Sequence, residues 1–376
     1  MIGIDGYHNI EGTKAWALAL EALVAVTIIP EAYATGFRSA WQFWSSRRAI
    51  ALMFWLTLGL AVTGLAVGIT AHYLGFENPR AVAAGLLATD PAAVGLALGL
   101  VEGKYLLGLF WQMTVESILN DAVGISVYGW ATGQSIGEAM HVVVNTLIAG
   151  LLLAASQVVV QLVSRKLRLS AIMELNLVVA TNVIFVTYGM RHHMSLILLT
   201  GVGSLVTNAL GAFLQTVSIH RAEELRHYWE RLNQFGLAAI LVMVTFLAPI
   251  RTIFTSLDVI LAGAALLAAV SFSRAIVDFG HKSVIKALLA RKGHAFAIEE
   301  ATVNWLCGST RLGVPAIVAM HLASHGDMQA ADAMFATIIL SGAFVPLGVW
   351  VIQHVEKHHN AENPGAWPPI GRKALD

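Results

Sequence analysis

Residues 88–100, ATDPAAVGLALGL, decide the architecture of this chain. The stretch is apolar enough to be membrane helix, yet Pro91 removes a backbone donor and disfavours the helical conformation at Asp90. A helix interrupted beside a carboxylate is therefore expected in mid-membrane. Residues 308–320, GSTRLGVPAIVAM, repeat the pattern with opposite charge: Gly308, Gly313 and Pro315 surround Arg311. Two interrupted spans at corresponding places are the sequence mark of a secondary transporter built from inverted repeats.

The rest of the chain sets the medium. Of 376 residues, 57% are hydrophobic and 12% charged, and the mean hydropathy is +0.70. Apolar runs of the length that crosses a ~30 Å hydrocarbon core recur from Trp16 to Val351. Strand-like alternation is missing, so the spans read as helices and the fold as an all-α polytopic membrane protein. About eleven spans are expected, near 16–33, 50–74, 81–100, 107–130, 140–163, 170–190, 193–217, 232–250, 256–279, 298–323 and 331–354. The domain plan is a polar N-terminal segment over 1–15, a transmembrane domain over 16–354 and a short cytoplasmic tail over 355–376, expected to be a disordered end. No cleavable signal peptide is evident, because Asp5, Glu11 and Lys14 fall in the first sixteen residues. The single cysteine, Cys307, excludes an internal disulfide, and a formal net charge of zero gives no reason to expect nucleic acid as a partner.

Basic residues give the orientation. With the N-terminus outside, seventeen Lys and Arg fall in inner segments and four, Lys14, Arg80, Arg191 and Arg251, in outer ones. That asymmetry predicts an outer N-terminus and a cytoplasmic C-terminus. The remaining two, Arg274 and Arg311, lie inside spans.

The interrupted spans are third and tenth in order, so a shift of seven pairs spans one to four with spans eight to eleven. Spans six and seven then lack N-terminal counterparts, and by this symmetry the chain begins two helices late. Asp90 is expected to offset the positive ends of the half-helices and Arg311 the negative ends, while freed carbonyls such as that of Thr89 are placed to ligate a cation.

The stretch ESILNDAVG, 116–124, follows one span later. A charged side chain at the centre of a membrane helix costs about 2.5 to 3.5 kcal/mol on insertion scales, so such groups face partners or water. Ser117 and Asp121 are four apart and share a helix face, with Glu116 and Asn120 on the adjoining one. Their hard oxygens suit Na+ or Li+ better than a soft metal. Glu116 needs a cation in this medium, and Arg274 is the intramembrane base without another evident partner. For Ser117, interhelical glue and ion binding both remain open; for Asp121 with Asp90, glue does not require charge. Glu21 and Glu174 read as interfacial or water-facing, and the histidines, such as His281 and His294, as loop residues solvated at the surface. An intramembrane hydrolase lacks an evident nucleophile and base.

ATDPAAV at 88–94 and ESILNDAVG at 116–124 together resemble the paired signatures of the cation/proton antiporter family one, the Na+/H+ exchangers. CGSTRLGVPAIVAM resembles that family's Gly-Gly-Leu-Arg-Gly-Ala stretch, and SRAIV at 273–277 its upstream arginine segment; the likeness runs from about Pro30 to Val351. It implies an electroneutral exchange of one H+ for one Na+ or Li+ without a further cofactor. Asp121 would be the carboxylate alternately protonated and cation-bound. Asn120 stands where electrogenic relatives carry a second aspartate. Ser117 and the Thr89 carbonyl would complete the ion shell, Asp90 would organise the crossed half-helices, and Glu116 would pair with Arg274. In the family's Leu-Pro-Pro-Leu-Leu-Phe-Glu-Ala segment, here IIPEAYATGF, the glutamate position is Ala34; Glu31, three residues earlier on roughly the same face, is the candidate substitute. Ser309 and Thr310 replace Gly and Leu of the arginine motif. Family members generally have thirteen helices, and the missing pair lies where dimer contacts begin, which leaves a homodimer open. A prokaryotic inner membrane is the implied location. A K+/H+ antiporter, and a non-transporting homologue serving as scaffold or ion sensor, are the alternatives.

Overall fold

A computed structural model describes residues 10–34, 47–89, 107–133, 135–214, 219–289 and 298–362. No strand occurs among the described residues. In chain order the helices are α1 (Ile10–Ala34), α2 (Arg47–Tyr73), α3 (Pro79–Leu87), α4 (Leu107–Ala131), α5 (Ile136–Leu167), α6 (Ala171–Arg191) and α7 (Leu196–Leu214). They continue with α8 (Ile219–Leu247), α9 (Ile250–Thr255), α10 (Leu257–Leu289), α11 (Ile298–Gly308), α12 (Gly313–Ser324), α13 (Met328–Ser341) and α14 (Phe344–Glu362).

Among the described residues, five helical stretches are long and apolar enough to cross a membrane: Gly137–Leu167, Ala171–Arg191, Leu257–Gly280, Thr302–Ser324 and Met328–His354. The chain is a polytopic α-helical membrane protein. Helix ends are not membrane edges. α8 begins well before the expected span at 232 because its first half, IHRAEELRHYWERLNQ, is polar helix that precedes the apolar part. α10 and α14 likewise run past their expected spans, and α14 carries helix as far as Glu362, into the expected tail.

Local chemistry sets the starts. Asn78 caps α3 by accepting from the Ala81 amide at 3.1 Å, with Pro79 in the first turn where no amide hydrogen is needed. Ser135 and Glu138 form a reciprocal capping box on α5. α5 stops at Arg168, whose left-handed conformation (φ 52°) lets its amide meet the Ser164 and Arg165 carbonyls.

Packing separates two kinds of helix. Most of α12 is hidden all round: Val314 and the run Ala316–Met320 are each at most 2% exposed. A helix apolar on every side belongs in an interior. By contrast α6 exposes Ile172, Met173, Val183 and Ile184, the apolar outer face expected against lipid. Around α12 the expected repeat partners touch one another: α1 packs on α8, α2 on α10 and α3 on α12. The α3 contact is close at Gly85, where a Cβ would meet Val318 and Met334 at 2.7 Å.

α10 and α13 cross closely at Gly263. A Cβ there would lie 2.5 Å from Ala336 Cβ and 3.0 Å from the Thr337 amide nitrogen. Gly263→Val therefore forces the two helices apart, and a loss of roughly 1–3 kcal/mol is expected from overpacking. A thermal unfolding series in detergent checks it; an unchanged melting temperature contradicts this crossing.

Candidate functional site

The two chain interruptions lie side by side. α3 ends at Leu87, and Ala88 turns extended (φ −61°, ψ 132°), so the carbonyls around Thr89 leave the helical ladder. α4 passes against this break, with Gly124 so close that a Cβ would sit 2.9 Å from the Ala84 carbonyl oxygen. Glycine lets the two backbones approach there. Two turns earlier on α4, the Ser117 hydroxyl donates to the Thr89 carbonyl at 2.5 Å. Asn120 Nδ2 donates to the Thr89 hydroxyl at 3.1 Å. Thr89, Ser117, Asn120 and Asp121 are all buried, none more than 6% exposed.

The faces of α4 differ from those expected. Asn120 joins Ser117 at Thr89, whereas Glu116 turns away to α10. Residues three apart share a face as readily as residues four apart, and the position of Thr89 selects the pair 117 and 120. Asp90 lies outside the described residues. Glu31 falls within α1, in a stretch whose side chains are likewise outside the description.

Glu116 forms a buried ion pair with Arg274 Nη1. Arg274 has a second carboxylate that the sequence reading missed: Asp278 Oδ2 lies 3.6 Å from Nε, one turn further along α10. Asn304 of α11 donates from Nδ2 to Asp278 Oδ1 at 2.7 Å. The spacing of four between Arg274 and Asp278 was the available signal. It was hidden because position 278 stands at the end of the expected span, where a carboxylate is unremarkable.

Arg311 crosses between the breaks. Its Nε donates to the Leu86 carbonyl at 3.0 Å, and its Nη1 donates to the Gly308 and Thr310 carbonyls at 2.8 and 2.7 Å. One guanidinium therefore meets the C-terminal ends of α3 and α11, where unpaired carbonyls concentrate negative charge. Its own backbone is fixed by Ser341 of α13, whose hydroxyl accepts from the Arg311 amide at 3.0 Å. The unusual Ser309 and Thr310 use their hydroxyls on the last turn of α11, donating to Trp305 and Cys307 carbonyls at 2.7 Å. Pro315 sits in the first turn of α12, where its missing amide hydrogen costs no helical bond.

Other expectations are corrected. Glu174 is 4% exposed and buried, not water-facing, because its face of α6 turns inward with Val178 and Asn182. Glu21 is half-buried and accepts from the Leu196 amide at 3.1 Å, so it serves the start of α7. His281 lies within α10, as do most of the described histidines within helices; His294 is outside the described residues. Among them, His321 of α12 stacks obliquely on Tyr128 of α4, ring centres 5.8 Å apart.

Fold and site together define a membrane protein with two interrupted helices, the buried Ser117 and Asn120 of a crossing helix at one break and an arginine bridging both. The fold is similar to that of the sodium proton antiporter MjNhaP1 from Methanocaldococcus jannaschii, with a TM-score of 0.59 at 15% identity over 90% of this chain and 87% of that one. No protein-family model matches the sequence, and no curated protein does.

Removing Arg274 leaves Glu116 and Asp278 as uncompensated buried charges. Arg274→Ala is expected to cost roughly 3–5 kcal/mol of stability, the usual penalty for breaking a buried pair from one side. Neutralising both acids together with the arginine should recover most of the lost melting temperature. If the single variant melts like the wild type, the pair is not buried as described.

Proposed function

We propose that the chain is a secondary active transporter, exchanging one Na+ or Li+ for one proton at Asp121, without net charge movement. The observation that carries this reading is a buried aspartate on α4, next in sequence to Asn120, which with Ser117 meets the hydroxyl and carbonyl of Thr89 at the end of a broken helix, on a fold similar to that of a sodium proton antiporter.

The donor chemistry supports a small hard cation. Ser117 gives its hydrogen to the Thr89 carbonyl, which leaves the lone pairs of its oxygen for an ion. Asn120 gives its amide hydrogen to the Thr89 hydroxyl, and its Oδ1 is buried without a hydrogen bond among the described residues. Hydroxyl and amide oxygens, joined by the carboxylate of Asp121 four residues after Ser117 on the same helix, suit a monovalent alkali ion rather than a soft metal. Asp90, beside Pro91, would balance the half-helix ends, and Glu31 would add an accessory carboxylate from α1.

Exchange follows from electrostatics. A bare carboxylate is costly in a low dielectric, and either a proton or a cation cancels its charge. The two compete for one negative charge, so Asp121 carries one or the other. The empty charged site is the state least able to cross, and that couples the two flows. Asn120, being neutral, adds no second charge, so the exchange is electroneutral. Glu116 and Arg274 neutralise each other, and Arg311 stabilises the crossed half-helices as the bundle that carries them shifts between the two sides. The N-terminus lies outside and the C-terminus in the cytoplasm.

Reconstituted vesicles with an inward Na+ gradient and an internal pH dye should show proton efflux, unaffected when valinomycin and K+ clamp the membrane potential. Asp121→Ala should abolish it. Retention of sodium-driven proton flux by that variant, or no flux in the wild type, rules the reading out. Flux driven by K+ alone reassigns the substrate.

A further inference from the structure

Arg274 is held by more than charge balance requires. Glu116 neutralises it from α4. A second carboxylate on the same guanidinium adds a desolvation penalty of several kcal/mol and gains nothing in net charge. Asp278 nevertheless stands 3.6 Å from Nε, 4% exposed, and Asn304 of α11 fixes it with a 2.7 Å hydrogen bond.

The value of the second acid is directional. A guanidinium is a planar fork of five N–H donors, and one contact leaves it free to pivot about that contact. Glu116 addresses the Nη1 end and Asp278 the Nε edge, so together they define the plane. Gly308 shows how tightly that plane is used: it lies against the Arg274 guanidinium so closely that a Cβ would overlap it. The carbonyl of the same glycine accepts from Arg311 at 2.8 Å. Arg274 is thus wedged between the ion-binding helix α4 and the end of the interrupted helix α11. On α4, the residue after Glu116 is Ser117, which meets Thr89.

We infer that Asp278 is a positioning residue for cation binding: with Asn304 it sets the plane of Arg274, which through Glu116 fixes the rotation of α4 and the approach of Ser117 and Asn120 to Thr89. This rests on the antiport reading and deepens it. Asp278 does not touch the ion. Its effect is expected on cation affinity, as for groups that orient direct ligands.

The test is a Na+ concentration series in the same vesicles, with melting temperatures measured in detergent. Asp278→Asn is expected to raise the half-saturating Na+ concentration roughly tenfold, the lower end of the range for orienting partners, with the maximal rate little changed. Asp278→Glu, which keeps the charge and reaches Nε, should restore the wild-type concentration, and Asn304→Ala should shift it in the same direction as Asp278→Asn by less. Wild-type half-saturation in Asp278→Asn overturns the inference. So does a fall in maximal rate and melting temperature together without rescue by Glu, which makes the residue only structural. A wild type with no exchange overturns the antiport reading, and this inference with it; exchange in the wild type with an indifferent Asp278→Asn overturns this inference alone.

Discussion

A helix broken inside a membrane leaves carbonyls that neither lipid nor water can meet, and the fold of this chain depends on how Arg311 meets them. Each unsatisfied group would cost several kcal/mol in hydrocarbon. Arg311 supplies donors to Leu86, Gly308 and Thr310, which come from two different interrupted segments. The charge of the guanidinium and the negative ends of the half-helices answer each other. The break after α3 depends on the other one, because α3 has no cation of its own among its helical residues except Arg80, which lies over the Trp130 ring at 5.9 Å. The pairing of the breaks is therefore a physical necessity as well as a symmetry.

That necessity dictates the rest of the core. To reach both helix ends, Arg311 must be enclosed, and α12, which follows it, is buried on every side as a consequence. Small residues make the enclosure possible. Gly85 brings α3 onto α12 and α13, Gly124 brings α4 onto α3, and Gly308 brings α11 onto Arg274. In lipid there is no hydrophobic drive between helices, so close backbone approach and polar contact do the joining. Ser117 and Asn120 of α4 enter this crowded region because the break leaves the Thr89 carbonyl and hydroxyl free to accept from them.

The interruptions were legible because proline and glycine act locally: Pro91 and the Gly308, Gly313 pair disturb helix wherever they stand. Arg311 was legible for a related reason, since a buried cation beside a break has few possible partners. Legibility failed where the decisive quantity was the rotation of a helix about its axis. Spacing put Asn120 with Glu116, but the location of Thr89, set by α3, puts it with Ser117. Asp278 was missed because it stands at the end of the apolar part of α10, so a carboxylate in the protein interior looked like one at the membrane edge. Glu174 failed for the converse reason, since proximity to a loop says nothing about which side of α6 faces inward. Burial of a single residue follows from neighbours that are remote in sequence.

The chain also carries its own comparison between polar groups that satisfy one another across helices and polar groups left with acceptors to spare. Between α5, α6 and α7, Gln157 Nε2 donates to Asn182 Oδ1 at 2.9 Å, Thr207 donates to Gln157 Oε1 at 2.7 Å, and Asn182 Nδ2 turns back to the Val178 carbonyl at 2.8 Å. These three side chains are neutral and satisfy one another, as befits interhelical bonds worth about 0.6 kcal/mol each. Around Thr89 the pattern is different. The hydrogens of Ser117 and Asn120 are committed to Thr89, while oxygens remain on the same side chains, and a carboxylate stands next in sequence. A group of side chains with an excess of acceptors and a formal negative charge is poorly designed as glue, because its charge costs more than such bonds return. Under the proposed antiport that excess would serve a small cation or a proton, and it distinguishes the broken region from the rest of the polar interior.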